Sequence, residues 1–398
     1  MRKLFILAPN DRFNYGDLLF PHILTAHFGD MVDEIIYCST SSADLRNKGG
    51  HKVSSFHSLY RVSPQDENYL IVAGGECLCC NWWIIFFVRK RFEILFRLLW
   101  KVLRFRKLKP ERRWYLFNNI FRKVIGGKTY YPFTIGKNEL SHFKGVYYNS
   151  LGGSGLANEM FILHDKQAQK ILKSVDYIAV RDEKTGHCLD AIDVPNTVTA
   201  DSAILMSDVF TEELLASKIS PYPRTFQGKK YLFVQGNRAD LKKNLQEISL
   251  QLAKLYSQTG LEICLCPIGT ALGHNDDIGL AMLQRELQKL NIPSTLITRP
   301  SIYDIMWLIK HSELYIGTSL HGVITAMSFG VPYCSFIVEK VRQYISTWGD
   351  SKCFAPTIDQ LYDTAQYALS QAPTDVTAQK ESILQSFANI KSLMAQRN

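Results

Sequence analysis

Short apolar runs alternate with longer stretches of helical periodicity along nearly the whole chain. In the first half the runs are 3–8, 34–38, 69–73, 145–150, 177–180 and 197–200, and most of them end in Gly, Asn, Asp or Arg. Runs this short and this continuously apolar predict strands buried on both faces, with helices between them, so the alternation predicts a mostly parallel sheet. A polar stretch at about 208–229, with Pro221, Pro223 and Gly228, separates this half from a second one. There the alternation restarts, with strands at 230–235, 261–267, 294–297 and 333–337, a helix at 280–290 and an amphipathic helix at 302–311. A strand, a loop and a helix fill 315–332, and 357–394 reads as closing helices. The expectation is an α/β chain of two Rossmann-like domains, 1–208 and 229–398.

One segment breaks this pattern. Between 82 and 128 the chain is too long for a normal strand-to-strand connection, and Lys90, Glu93, Arg97, Lys101, Arg104 and Lys107 recur at three- and four-residue steps. Such spacing predicts a helix with one narrow polar stripe, while Phe92, Phe96, Trp100, Phe105 and several leucines cover the rest. A basic amphipathic helix of this kind suits an anionic membrane surface, so residues 82–109 are expected to dock there; a core helix with a solvated stripe is the plainer reading. The apolar run 82–88 is far short of the ~20 residues that cross a bilayer.

Bulk numbers change the picture in two places. At 398 residues, 46% hydrophobic and 21% charged, the chain is long enough for two cores and unlike a disordered or multi-span protein. Its net charge of +9 invites a nucleic-acid reading, but residues 82–128 hold 14 Lys or Arg against 2 acids, a local +12 that leaves −3 for the rest. The basicity belongs to the insert, and no nucleic-acid partner is expected. Nine cysteines, several of them within apolar runs, fit reduced thiols, and Cys77-Leu-Cys-Cys80 has no partner pair at zinc spacing, so no metal is expected. The first apolar run is too short for a signal-peptide core. A cytoplasmic protein, peripheral at the inner face of the membrane, is the expectation.

Candidate chemistry gathers where strands end. The stretch Tyr315-Ile-Gly-Thr-Ser-Leu-His-Gly-Val-Ile-Thr-Ala-Met-Ser-Phe-Gly-Val-Pro332 predicts a buried strand, a tight loop carrying His321 and a helix start whose free N–H groups favour an anion. Other residues share this placement: Asn14, Gly16 and Asp17 after the first strand, Gly74, Gly75 and Glu76 after 69–73, and Gly152 and Gly153 after 145–150. Arg181 follows 177–180, Asn237 and Arg238 follow 230–235, and Lys340 and Arg342 follow 333–337. Each also has a structural reading. His321 can fix its loop, Arg181 can pair with Asp182 or Glu183, Asn237 and Asp17 can cap helices, the glycines can serve tight turns, and Lys340 and Arg342 can be a solvated pair. Asp201 reads as structural, near the domain junction.

The His321 loop, Asn14-Tyr-Gly-Asp17, Ala73-Gly-Gly-Glu76, Ala179-Val-Arg-Asp-Glu183 and Ala200-Asp-Ser-Ala203 occur in an order that resembles the polysaccharide pyruvyl transferase family over nearly the whole chain. Two doubly wound halves with a cleft between them likewise resemble the architecture called GT-B. The resemblance implies transfer of a pyruvyl group from phosphoenolpyruvate, as co-substrate and with no cofactor, to a saccharide or lipid-linked oligosaccharide acceptor in surface polysaccharide synthesis. It implies His321 as general acid or phosphate ligand, and Asp17, in the loop that faces the cleft from across, can take the proton of a sugar hydroxyl. Arg181, Asn237, Arg238, Ser319, Gly322, Lys340 and Arg342 are then donor-binding candidates, and Asn14, Gly16, Gly74, Gly75 and Glu76 acceptor-binding ones. One departure stands out: the family's Arg-Leu-His-Gly is Ser319-Leu-His-Gly322 here, so Lys340 or Arg342 is expected to replace the missing cation. A nucleotide-sugar-dependent GT-B glycosyltransferase and a non-catalytic membrane-associated binding protein are the alternatives.

Overall fold

The computed structural model describes residues 1–89, 110–153, 155, 156, 165–271 and 274–396. Eight strands build the first sheet: β1 (Arg2–Leu7), β2 (Glu34–Ser39), β3 (Ala43–Asp44), β4 (Lys52–Ser55), β5 (Glu67–Ala73), β6 (Phe143–Leu151), β7 (Tyr177–Val180) and β8 (Thr197–Val198). Their order is β3-β4-β2-β1-β5-β6-β7-β8, parallel except for β3 against β4. The second sheet is wholly parallel, with β9 (Tyr231–Gln235), β10 (Glu262–Leu265), β11 (Ser294–Leu296), β12 (Leu314–Gly317), β13 (Tyr333–Phe336) and β14 (Phe354–Ala355) in the order β11-β10-β9-β12-β13-β14. This is the doubly wound order, which reverses direction between β9 and β12 and leaves a crevice at their carboxyl ends.

Side-chain alternation along β1 shows how the first sheet is covered. Leu4 and Ile6 face the helix Tyr15–Phe28 and join one core with the second domain, whereas Phe5 and Leu7 face the opposite core with Leu70, Val72, Val146 and Tyr148. Both faces are thereby buried, which is why the run is continuously apolar.

Three features go beyond the pattern of the sequence. The stretch 208–229 is not a free linker: it holds the helix Glu212–Lys218, buries Leu215, Ile219 and Phe226, and fixes Ser220 to Asp304 through backbone N–H and hydroxyl at 2.7 and 3.0 Å. Most of its polar side chains stay exposed, but Asp208 pairs with Lys380 and Glu212 with Lys310. The helix Ile302–Lys310 buries Ile302 and Asp304 to Ile309 beneath that segment and the helix Leu320–Ser328, leaving Tyr303 and Lys310 partly exposed. The closing helix Thr377–Ala395, finally, crosses back to the first domain. Its Ser382 hydroxyl accepts the Ala200 N–H at 3.0 Å, and the Met394 carbonyl accepts from Arg2 Nη2 at 2.8 Å and Tyr69 OH at 3.3 Å. The polar stripe from Lys90 to Lys107 lies outside the described residues. Before it, the helix Trp82–Arg89 buries Trp82 and Ile85 in the first domain. Among the described residues no helix is long and apolar enough to cross a membrane.

A histidine pair packs near Gly49, where the first domain meets Tyr303 and Arg299 of the second. His22 Nε2 lies 2.7 Å from the Gly49 carbonyl, its ring is 4.2 Å from that of His51, and His51 stacks on Tyr37 at 4.0 Å. Nearby, Lys48 Nζ reaches the Arg299 carbonyl of the second domain at 3.0 Å. Burial first, then His22, pushes His51 down to about 3, and burial lowers His22 as well. Above the unfolded value of 6.5 both rings are neutral in both states. As pH falls below it the unfolded chain takes up protons that the folded one refuses, so stability is lost progressively toward about pH 3. Melting temperatures from pH 7.5 to 4.5 check this: His51→Phe is expected to give a shallower fall than wild type, and an identical fall would remove the pair from the account.

Candidate active site

A cavity of about 470 Å³ opens between the carboxyl ends of the two sheets. Loops after β1, β5 and β7 supply one wall with Arg12, Asn14, Asp17, Gly75, Glu76 and Arg181, and loops after β9, β10, β12 and β13 supply the other. From that second side come Asn237, His274, Asp276, Ser319, His321 and Lys340. Strand-end residues distant in sequence therefore meet because both sheets are parallel and point their carboxyl edges at each other.

At the base lies a chain of charges. Arg181, 2% exposed, donates through Nη2 to Glu76 Oε1 at 2.5 Å and through Nη1 to Asp201 Oδ2 at 3.0 Å. Burial alone would lower its pKa, but Glu76, Asp201 and Asp182 outweigh that and raise it. Burial likewise would raise Asp201, yet His321, Arg181 and the Ala203 N–H hold it below the ordinary carboxylate value. The same Asp201 oxygen lies 3.6 Å from His321 Nε2, an ion-pair distance too long for a hydrogen bond, and no hydrogen-bond partner meets that buried nitrogen among the described residues. Asp201 thus joins Arg181 of one domain to His321 of the other.

Gly16 is what lets the ring of His321 in. A Cβ at residue 16 would stand 1.9 Å from His321 Nδ1, so only glycine allows the first helix to pass this close, with Phe20 edge-on to the imidazole at 5.4 Å. Gly152 does the same for the Arg181–Glu76 pair, since its Cβ would approach Arg181 Nη2 at 2.6 Å. Gly322 makes room for the Tyr315 hydroxyl and Gly74, at φ +124°, packs on Pro9; both serve the frame and neither lines the cavity.

Several alternatives are resolved by the neighbours each residue finds. Asp17 is not a cap: in the first turn of its helix it accepts from Asn14 Nδ2 at 2.6 Å and faces the cavity. Asn237 lines the cavity too, but its side chain is engaged as a helix cap, accepting the Asp240 N–H at 3.0 Å and donating to Asp240 Oδ2 at 2.5 Å. Ser319 caps the helix Leu320–Ser328 through the Gly322 N–H at 3.4 Å. Arg342 and Arg238 are not brought to the site. Arg342 pairs with Glu339 three residues away, at 2.8 Å on the surface, and Arg238 is exposed outside the lining.

Sequence reasoning missed Arg12, His274 and Asp276, whereas Asp201 is, as expected, a buried residue at the domain junction and lies outside the cavity lining. Asp276 is 1% exposed; its Oδ2 accepts from Gln235 Nε2 at 2.9 Å and from the Ile268 and Gly269 N–H groups at 3.1 and 2.9 Å, and burial pushes it up to about 6. The only signal available was position: Arg12 precedes the Asn14–Asp17 motif, and His274 and Asp276 follow the strand β10. Cys77, Cys79 and Cys80 form part of the first wall, and burial raises the Cys77 and Cys80 thiols, the latter to about 12, so these two stay protonated. No cluster of three metal-binding side chains occurs among the described residues.

Comparison with solved structures shows the same fold. UDP-N-acetylglucosamine 2-epimerase from Rickettsia bellii superposes with TM-score 0.58 at 10% identity, over 100% of this chain and 96% of that one. The UDP-GlcNAc 2-epimerase of Methanocaldococcus jannaschii, in complex with UDP-GlcNAc and UDP, gives 0.56 at 11% over 98% and 100%. Anabaena Alr3699/HepE in complex with UDP-glucose gives 0.50 at 10% over 99% and 98%. At such identities the likeness establishes the GT-B arrangement of two facing domains and nothing finer. No curated protein sequence matches the chain. The sequence model of polysaccharide pyruvyl transferases, however, matches residues 14–338, from the Asn14 loop through the His321 loop to the edge of the cleft, and the chain therefore belongs to the polysaccharide pyruvyl transferase family of enzymes.

Proposed function

We propose that the enzyme moves a pyruvyl group from phosphoenolpyruvate onto two hydroxyls of a saccharide, forming a ketal during surface polysaccharide synthesis. The observation that carries this reading is the cavity itself, where His321 and the cations Arg12 and Lys340 share one space with the carboxylate of Asp17. Atoms balance as follows. The enol methylene gains a proton as the first hydroxyl attacks the adjoining carbon, and the second hydroxyl displaces phosphate. One hydroxyl proton thus ends on the new methyl group and the other leaves with the phosphate. His321 is the group for the methylene proton and Asp17 the acceptor for a hydroxyl proton, both facing the same volume. Basic side chains meet the anionic donor.

The test is phosphate release from phosphoenolpyruvate in the presence of saccharide acceptors. Turnover of UDP-glucose with no reaction of phosphoenolpyruvate would overturn the reading in favour of a glycosyltransferase. A lipid-linked acceptor at the cytoplasmic membrane face completes the proposal, supported by the sequence of residues 82–109 alone. Co-sedimentation with anionic vesicles that weakens in high salt is expected, and Arg97, Lys101 and Arg104 changed together to glutamate are expected to lose it. Equal pelleting of the two proteins would end the membrane reading.

A further inference from the structure

The helix Pro110–Ile125 belongs to the segment that breaks the alternation of strands and helices, and it turns an apolar row outward. Leu116, Ile120 and Val124 recur at four-residue steps and are 41%, 44% and 63% exposed. The other large apolar side chains exposed on helices among the described residues, Leu250, Ile278 and Leu384, stand one to a helix. Single ones are ordinary on a soluble surface, whereas a row on one face marks contact with an apolar partner. Lys123, seven positions after Leu116 and hence on the same face, is exposed as well, as is Lys128 just beyond the helix. Residues 112–128 hold five Lys or Arg and no acid. We infer that this outer face inserts into the headgroup layer of an anionic membrane and turns the first-domain wall of the cleft toward the bilayer. The inference rests on the membrane reading above and adds to it a contact face that is separate from Arg97, Lys101 and Arg104.

The opposite side of the helix explains why this face is fixed outward. Asn118, 1% exposed, accepts the Trp82 N–H through Oδ1 at 2.9 Å and donates through Nδ2 to the Tyr130 carbonyl at 3.0 Å. The Phe121 ring lies 4.6 Å from that of Phe86, and Ile125 packs against the first-domain core. Phe86 belongs to the helix Trp82–Arg89, whose Ile84 lines the cavity. The outward row is therefore carried on the helix that backs the cavity wall. Lipid answers both properties of the face: the aliphatic side chains enter the acyl boundary while the lysines meet headgroup phosphates. A second copy of the chain fits less well, because a two-fold interface joins a patch to itself and would set these cations against one another. Nucleic acid would satisfy the lysines and leave the apolar row in water. A protein held this way meets a lipid-linked saccharide at the plane where its lipid lies.

The test changes Leu116, Ile120 and Val124 together to glutamine in the full chain, a residue that keeps helix propensity. Binding is measured by co-sedimentation with vesicles of phosphatidylglycerol and phosphatidylcholine, at low and high salt. Wild type is expected to bind at low salt and to keep a residual part at high salt, because apolar insertion is not screened. The triple variant is expected to bind about 10-fold more weakly at low salt and to lose the residual part, at an unchanged melting temperature. Lys123→Glu is expected to weaken the low-salt binding and to leave the residual part in place. A triple variant that pellets like wild type, while the variant with Arg97, Lys101 and Arg104 as glutamate does not, would uphold the membrane reading and reject this face. A wild-type protein that pellets with no vesicles would overturn both. A wild-type dimer that the three glutamines convert to a monomer, with vesicle binding unchanged, would assign the face to a second copy and reject the inference.

Discussion

Replacing Arg181 with methionine is expected to destabilise the protein by about 3–5 kcal/mol, the largest effect on folding of any single change in the cleft. The reason is the company it keeps. Asp201 is fully buried and Glu76 is 30% exposed, and both lean on one guanidinium through bonds of 3.0 and 2.5 Å. Methionine fills the volume but leaves a buried carboxylate with, among the described residues, His321 at 3.6 Å and the Ala203 N–H at 3.0 Å to compensate it. Urea denaturation at neutral pH measures the loss. Adding Asp201→Asn to the variant is expected to restore part of the stability, because it removes the charge that was left unpaired. A single variant within about 1 kcal/mol of wild type would show that water reaches Asp201 and that the network is not a buried one.

His321→Ala is expected to lower kcat by about 10² or more if the imidazole transfers the proton, with a modest fall in melting temperature because a ring buried against Phe20 is lost. The ring makes no hydrogen bond through Nε2 among the described residues, so its removal leaves no partner stranded there other than Asp201, which keeps Arg181. Gly16→Ala is the companion experiment. It leaves the histidine in place but puts a methyl group 1.9 Å from Nδ1, so either the ring or the helix Tyr15–Phe28 must shift. Activity is expected to fall as steeply as in His321→Ala, with a larger fall in melting temperature because the helix itself must shift. Phosphate release from phosphoenolpyruvate is the readout for both variants. Full turnover by purified His321→Ala protein would take the histidine out of the chemistry and leave it as the contact between domains.

Local pattern is enough to place most of the frame. The continuous apolar runs that become β5, β7 and β9 announce strands covered on both faces, and the motifs at their ends announce the cleft, because a parallel sheet directs every strand's carboxyl edge the same way. The pairing of Arg342 with Glu339 is local too, since three residues on a helix bring side chains together whatever the rest of the fold does. The order of the motifs along the chain is by itself enough to mark the family, because each motif sits at a strand end that the fold brings to the same cleft.

Partners from remote parts of the chain are not legible in this way. Arg181 finds Glu76 105 positions away, and Tyr15 shares a hydrogen bond with Thr325 across 310. Whether a strand-end cation faces ligand or carboxylate is decided by which remote loop arrives beside it, and periodicity is silent on that. So Arg181 becomes a buried strut, Arg12 is drawn into the cavity by the backbone bridge between Asn14 and Gly269, and Asp201 becomes the link to His321. The closing helix follows the same logic. Its apolar pattern fixes that one face must be covered, but only the packed tertiary structure decides that the first domain covers it, because hydrophobic burial depends on area and not on the identity of the surface that supplies it.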